Sequence, residues 1–477
     1  MISHLQASAP LLILAAAITI LLAAIAIKRS FAGSVAISAI GLLAAIASTP
    51  WAIHATGPAP MPTLFIFTTE SLGFAALVIL AALGVLILAA GYFTTGIKLP
   101  REEYPLLLLI ATLGAVALTL SASFITLFLG LETMSLAMIG MIAYPRYRPG
   151  AEEAGLKYLI LSGMSSALVL FGIALVELAT NHLQFTPVLA TMLTGTPILL
   201  AAVALIGAGA GFKLGVVPFH IWVPDIYAGA PAPSAAYVAV IPKIAVLAVI
   251  IRILEMPGVA FSHGTITAIT IVAILSMAIG NLLALMQENI KRILGYSSIA
   301  HLGYVLVALL AASAIGRAGV IFYIVTYAIT VIGAFGIIGV LSRATAGRDL
   351  DQVSEFHGLF WERPFLATIM TLVLLSLAGV PPAIGFIAKM YIMAAGVHAD
   401  LRILTGTLVV TSVIGLFYYL RIIIVMSLKP VERTATPEMA MAIPMTGWIT
   451  MATLGALIIG FGVDPESLIV ILRSLFG

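Results

Sequence analysis

The sequence predicts an all-α, polytopic membrane protein of about 14 transmembrane helices. Three observations carry this reading. The 477 residues are 62% hydrophobic and only 9% charged. Mean hydropathy is +1.20. Runs of about 20 apolar residues, the length needed to cross the hydrocarbon core of a bilayer, recur from one end of the chain to the other. A soluble domain carries about 25% charged residues, so water could not wet this surface. A net charge of +3 gives no ground for nucleic-acid binding.

Taken in order, the apolar runs place spans at 9–27, 32–54, 71–95, 104–121, 122–144, 154–179, 195–217, 232–254, 264–286, 295–314, 318–342, 364–396, 402–427 and 442–472. The first run, Pro10 to Ile27, has no basic stretch before it and no small-residue cleavage site after it, so it reads as a retained span. Basic residues orient the set, because cytoplasmic loops are enriched in Lys and Arg. Loops after odd-numbered spans hold Lys28, Arg29, Lys98, Arg101, Arg146, Arg148, Lys291, Arg292, Arg343, Arg348, Arg363, Lys429 and Arg433. Loops after even-numbered spans hold only Arg317 and Arg402. The odd loops are therefore expected in the cytoplasm and both termini outside, on the periplasmic side of a bacterial inner membrane.

Three spans are expected to be interrupted. Pro218 lies in span 7, Pro242 in span 8 and Pro381-Pro382 in span 12; proline removes an N–H and frees a carbonyl one turn back. The texts around two of the breaks echo each other: Gly215-Val216-Val217-Pro218 and Gly379-Val380-Pro381-Pro382. They lie five spans apart, an odd number, so the copies cross in opposite directions. This suggests two inverted five-helix repeats. Residues 1–100 then form helices 1–3, 101–255 the first repeat, 262–428 the second, and 429–477 the last helix.

Charge inside the spans points to the chemistry. A charge at the bilayer centre costs about 2.5–3.5 kcal/mol on insertion scales. Glu132 in span 5, Lys213 in span 7, Lys243 in span 8 and Lys389 in span 12 all lie far from span ends. A static ion pair is the plain explanation for any one of them, but three lysines cannot all pair with one glutamate. Lysine suits proton carriage, because burial lowers its proton affinity and a nearby carboxylate restores it. Glu132 is the natural modulator of Lys213.

Several polar residues form a second tier. Ser298, His301 and Tyr304 recur every third residue and share a helix face; a histidine relays protons near neutral pH, while helix–helix hydrogen bonding explains the serine and tyrosine equally well. His220 and Asp225 follow the break in span 7 and either relay protons or tie down the loop. Lys157, four residues after Glu153, either joins the relay or snorkels to the interface. Gly207, Gly209 and Gly211 have the wrong spacing for a dinucleotide fingerprint and read as close-approach residues between helices. With no cysteine in the chain, thiolate zinc sites and cysteine-held iron–sulfur clusters are excluded.

Three stretches carry a family likeness: 211–225, GFKLGVVPFHIWVPD, followed by YAGAPAP; 289–301, NIKRILGYSSIAH; and 376–389, SLAGVPPAIGFIAK. They resemble the signatures of the antiporter-like membrane subunits of respiratory complex I, the proton-pumping NADH:quinone oxidoreductase, over about residues 100–425. The likeness implies that Glu132 partners Lys213, that Lys243 is the central lysine and Lys389 the terminal one, and that His301 is the span-10 histidine. It implies a non-redox subunit of a translocase, in which quinone reduction elsewhere drives proton movement along a buried axis. The chain itself would hold no cofactor; NADH, FMN, iron–sulfur clusters and quinone would sit on partner subunits, and its neighbours would be other membrane-arm subunits. Among family members, the early end after span 14 and a lysine rather than a glutamate in span 12 favour the shorter type. A subunit of an Mrp-type sodium/proton antiporter, a ferredoxin- or hydrogenase-linked complex, and a membrane spacer whose charges only organise helices remain as alternatives.

Overall fold

The computed structural model describes residues 2–55, 64–93, 100–144, 149–186, 188, 196–256, 262–342, 348–429 and 445–476. Lys98, Arg146, Arg148, Arg343 and Arg433, which entered the orientation argument, lie outside the described residues. The helices are α1 (Ile2–Ala7), α2 (Ala9–Ile27), α3 (Phe31–His54), α4 (Thr69–Tyr92), α5 (Glu103–Thr119), α6 (Phe124–Ile142), α7 (Pro149–Thr180), α8 (Pro197–Leu214), α9 (Trp222–Gly229), α10 (Ala232–Glu255), α11 (His263–Leu285), α12 (Ile290–Leu310), α13 (Ala314–Ser342), α14 (Leu359–Glu362), α15 (Pro364–Ala378), α16 (Ile384–His398), α17 (Arg402–Ser427), α18 (Met445–Val463) and α19 (Pro465–Phe476).

Short polar residues start many of these helices by accepting a hydrogen bond from an otherwise orphaned N–H. Ser30, Thr68, Ser123, Ser262 and Asn289 cap α3, α4, α6, α11 and α12 in this way. Small residues then set the spacing between helices. At the α5–α6 crossing a Cβ on Gly114 would overlap the backbone of Met134, and one on Gly130 would crowd Leu118. In lipid such close backbone approach replaces the hydrophobic driving force that packs helices in water.

Among the described residues, eleven helices are long and apolar enough to cross a membrane, or up to twelve if a bent pair counts as one. The chain is thus a multi-pass membrane protein. The hydropathy reading of 14 differs because α5, α15 and α16, with 17, 15 and 15 residues, are too short for that test. Span 7 is interrupted as expected, between α8 and α9, and span 12 between α15 and α16. Span 8 is not broken: α10 runs unbroken through Pro242. Its central run is buried on nearly all sides, and this packing holds the helix together despite the missing donor. The last span is not one straight helix either, since α18 and α19 meet at 99°.

Burial separates the core from the lipid-facing rim. The apolar windows of α10, α12 and α13 are 83%, 89% and 89% buried, against 22% for α2 and 33% for α7, α11 and α17. The helices that carry Lys243 and His301 are therefore the ones most fully removed from lipid.

Candidate proton-carrying site

The two interruptions are built alike. α8 ends at Gly215 (φ +75°) and α15 at Gly379 (φ +79°), both in the left-handed region that glycine enters freely. The N–H of Gly215 reaches the carbonyls of Gly211 and Phe212, and that of Gly379 reaches those of Leu375 and Ser376. Each break leaves the negative end of a helix dipole inside the bundle, where a cation is favoured. A lysine meets each one. Lys213 lies in the last turn of α8, and Lys389, on α16, donates 2.6 Å to the carbonyl of Ala378, the last residue of α15.

All three lysines of the sequence reading are buried, with 3%, 0% and 5% of Lys213, Lys243 and Lys389 exposed. Their partners are mainly hydroxyls. Lys213 Nζ donates to Ser135 Oγ at 2.6 Å and Ser162 Oγ at 2.8 Å. Glu132, one turn before Ser135 on α6, accepts instead from Ser166. Lys213 and Glu132 therefore share a polar pocket of serines but form no ion pair. Lys243 Nζ donates to Ser298, to Tyr327 at 3.0 Å and to Tyr227 at 3.3 Å. Lys389 also donates 2.8 Å to Ser412. Among the described residues none of the three lysines has a carboxylate within 4.0 Å.

The face of α12 predicted from sequence joins two of these lysines. Ser298 binds Lys243. One turn on, His301 Nδ1 lies 2.5 Å from the Tyr323 hydroxyl and Nε2 lies 3.2 Å from that of Tyr419. Tyr304 presents its ring to Lys389 Nζ, 5.4 Å from the centroid, and its hydroxyl accepts from Asn281 at 3.0 Å. Between His301 and Lys389 is a small cavity lined by Tyr323, Thr326, Tyr327, Thr330 and Ser376, with about 10 Å³ open to the centre of a water molecule. That is room for about one water with several polar partners. Between Lys213 and Lys243 the filling is aromatic: Tyr158 packs on Trp222, and Trp222 on Tyr227, at ring separations of 5.4 and 6.5 Å.

Two residues from the sequence reading lie apart from this line. Lys157 is 43% exposed and pairs with Glu153 at 2.7 Å and Asp225 at 2.9 Å. Asp225 also takes Arg292 at 2.6 Å. His220 is half-buried in the α8–α9 break and forms no hydrogen bond to the lysines. The sequence reading also missed members. Tyr323 and Tyr327 are four apart on α13, and hydroxyls at that spacing in an apolar span were a usable signal. Lys291, expected in a loop, is buried, 2.7 Å from Asp349 and 2.7 Å from the Ala230 carbonyl.

The chain was compared with known proteins by sequence and by fold. Residues 121–415 match the family model described as NADH:quinone oxidoreductase/Mrp antiporter, transmembrane. The chain belongs to this family. Members similar to it include the NADH-quinone oxidoreductase subunit N of Ectopseudomonas mendocina, 40% identical over 89% of this chain and 87% of that one. Subunit N of Chromohalobacter salexigens is 39% identical over 98% of both. Among solved structures, a chain of respiratory complex I from Thermus thermophilus superposes with a TM-score of 0.80 at 28% identity, covering 96% of this chain and 97% of that one. A chain of the archaeal membrane-bound sulfane sulfur reductase gives 0.80 at 25% identity, covering 99% and 96%. A chain of the Mrp complex of Dietzia shares the fold, with a TM-score of 0.81 at 21% identity over 99% and 100%.

Proposed function

We propose that this chain is a proton-translocating, non-redox subunit in the membrane arm of a bacterial NADH:quinone oxidoreductase, of the subunit N type. The observation that carries the reading is the set of three buried lysines solvated by hydroxyls. An ammonium in a low-dielectric interior without a carboxylate is costly, and a structural spacer has no use for three. Hydroxyls, histidine and room for a water are the groups that pass a proton from one nitrogen to the next. The redox cofactors, NADH, FMN, iron–sulfur clusters and quinone, belong to partner subunits in this reading, and neighbouring membrane-arm subunits cover the apolar rim.

The finer architecture belongs to the same proposal. The chain crosses 14 times, with α5 and the α15–α16 pair completing the set, both termini are periplasmic, and spans 4–8 and 9–13 are inverted repeats. Contacts between connecting segments support this alternation. Leu64 meets Ala122, and Ala122 meets Phe185, all after even-numbered spans. Asn289 meets Gln352, and Trp361 meets Ser427, all after odd-numbered ones. Glu132 and Lys213 form the site of the first repeat, Lys243 the centre, and Lys389 with His301 the terminal site; Lys157 and His220 are secondary relays.

The test is proton pumping in membrane vesicles carrying Lys243→Ala, with assembly checked and electron transfer assayed in parallel. Loss of pumping in an assembled complex is expected. Normal pumping would reject Lys243 as a carrier and move the assignment to a structural role.

A further inference from the structure

A second group of charges, far from the lysines, gathers where α4, α10 and α13 come together at one end of the bundle. Glu70 stands in the first turn of α4, Arg252 and Glu255 in the last turn of α10, and Arg317 in the first turn of α13. Arg317 Nε lies 3.1 Å from a Glu255 oxygen and 3.6 Å from a Glu70 oxygen. Its terminal nitrogen donates 2.9 Å to the carbonyl of Phe476, so the end of α19 lies across the group. The Phe74–Phe476 ring contact, 4.8 Å between centroids, holds that helix down.

Two features point to a ligand. Arg317 Nε lies within 3.6 Å of both acids, so the Glu70 and Glu255 carboxyls are neighbours, and Glu70 Oε1 is buried with no hydrogen-bond partner among the described residues; two neighbouring carboxyls can bond only if one of them carries a proton. Arg252 faces Glu70 from the inner side. It donates 2.8 Å to the Thr119 carbonyl, while its Nε and other terminal nitrogen are buried with no hydrogen-bond partner among the described residues. A guanidinium with two buried spare donors, one turn inward of Glu255 on α10, is available to donate to the Glu70 carboxylate once its proton leaves. Exposure is graded across the pair: the Glu70 side chain is 15% exposed and that of Glu255 37%.

We propose that Glu70 and Glu255 form a proton-release relay, holding one proton between them and passing it outward. The Glu70 carboxyl gives its proton to the Glu255 carboxylate, and Glu255 gives it to water. Glu70 is left ionised between Arg252 and Arg317, and no other bond changes. The two guanidiniums disfavour a metal cation in the same place, since both carboxylates already have a positive partner. The inference rests on the proposed function for the source of the proton and on the proposed orientation for its direction.

Two measurements on the assembled complex test it. The first is labelling by an apolar carbodiimide, which attacks protonated carboxyls, read by peptide mapping. An ordinary glutamate has a pKa of about 4.3 and carries almost no proton at about pH 7.5. Labelling of Glu70 at about pH 7.5 is expected, and it should fall in Glu255→Gln, where sharing is no longer possible and Glu70 ionises against its arginines. The second is pumping in vesicles. Glu70→Gln and Glu255→Gln are expected to lose pumping in an assembled complex, and Glu70→Asp to retain it. The relay is overturned if Glu70 labels only near pH 5, or if the glutamine variants pump as the wild type does. Should the variants fail to assemble, labelling of the wild-type complex decides. Normal pumping in Glu70→Gln alongside loss in Lys243→Ala rejects the relay alone; normal pumping in both rejects the proposed function as well.

Discussion

Each lysine of the buried line sits in a different solvent of side chains. Lys213 has two serines, Lys243 two tyrosines and a serine, and Lys389 a backbone carbonyl and a serine. The Tyr327 hydroxyl accepts from Lys243 at 3.0 Å and donates 2.7 Å to Ser298. A hydrogen bond to a charged group contributes about 1.5–3 kcal/mol. Tyr327→Phe is therefore expected to slow pumping by about tenfold or more, with assembly and the electron-transfer capacity of uncoupled membranes unchanged; initial rates of vesicle acidification check it. The lysines were legible in the sequence because a charge amid apolar residues is expensive wherever it falls. Their hydroxyl partners were not, because serine and threonine also serve helix packing in lipid. Lys291 was hidden for a different reason: it stands beside Arg292 near a helix start, where hydropathy cannot separate a buried ion pair from an interfacial anchor.

Among the elements, the interrupted helices do the most to place the chemistry. Gly379 illustrates it. Its backbone is left-handed, and a Cβ there would come within 2.6 Å of Lys389 Cδ and 3.1 Å of Nζ. Gly379→Ala therefore adds strain of about 1 kcal/mol or more in the backbone and pushes the lysine stem off the Ala378 carbonyl. The expected outcome is a lower melting temperature of the purified complex together with impaired pumping. Lys389→Met made alongside should impair pumping without the backbone strain. The sequence signalled these breaks because glycine and proline act together there. It misled at span 8, because Pro242 alone could not say whether the surrounding packing would hold a helix through the missing hydrogen bond. The 99° turn between α18 and α19 was invisible to hydropathy, which registers apolar length and not direction.

At the scale of the whole molecule, the segment after α13 ties the start of α12 to the end of α17: Asn289 donates 2.7 Å to Asp351, and the Gly358 N–H donates 3.3 Å to the Val425 carbonyl. Arg348 pairs with Glu355, and the N–H groups of Asp351 and Gln352 each donate 2.9 Å to the same carboxylate. Partial burial pushes the Glu355 carboxyl up, but Arg348 and these two N–H groups outweigh it and hold it below the usual carboxylate value. A depressed folded value means the contribution is complete above the unfolded value of about 4.3 and is lost as pH falls through the folded value. Amide exchange in residues 348–356, normalised to intrinsic rates, should be constant between about pH 6 and 8 and accelerate below about pH 4. A rise within the upper window would reject Glu355 as the fastening group. The fold class, the order of most spans and three of the four lysines buried among the described residues were legible, because the bilayer restricts a chain to few choices. Which hydroxyls converge, and which loops meet, depends on packing between spans far apart in sequence.

The contact between Lys389 and the end of α15 distinguishes this lysine from its counterpart in the first half. Both lysines face the negative end of a broken helix, but the serine pocket of Lys213 also holds Glu132, a side chain that can swing away. Lys389 has only the carbonyl of Ala378 and the Ser412 hydroxyl among its described hydrogen-bond partners, and the carbonyl is fixed by its helix. One end of the line thus works against an adjustable bias and the other against a constant one. A signal that alters the first lysine has a fixed reference to be measured against at the last, and a directional ratchet needs that asymmetry.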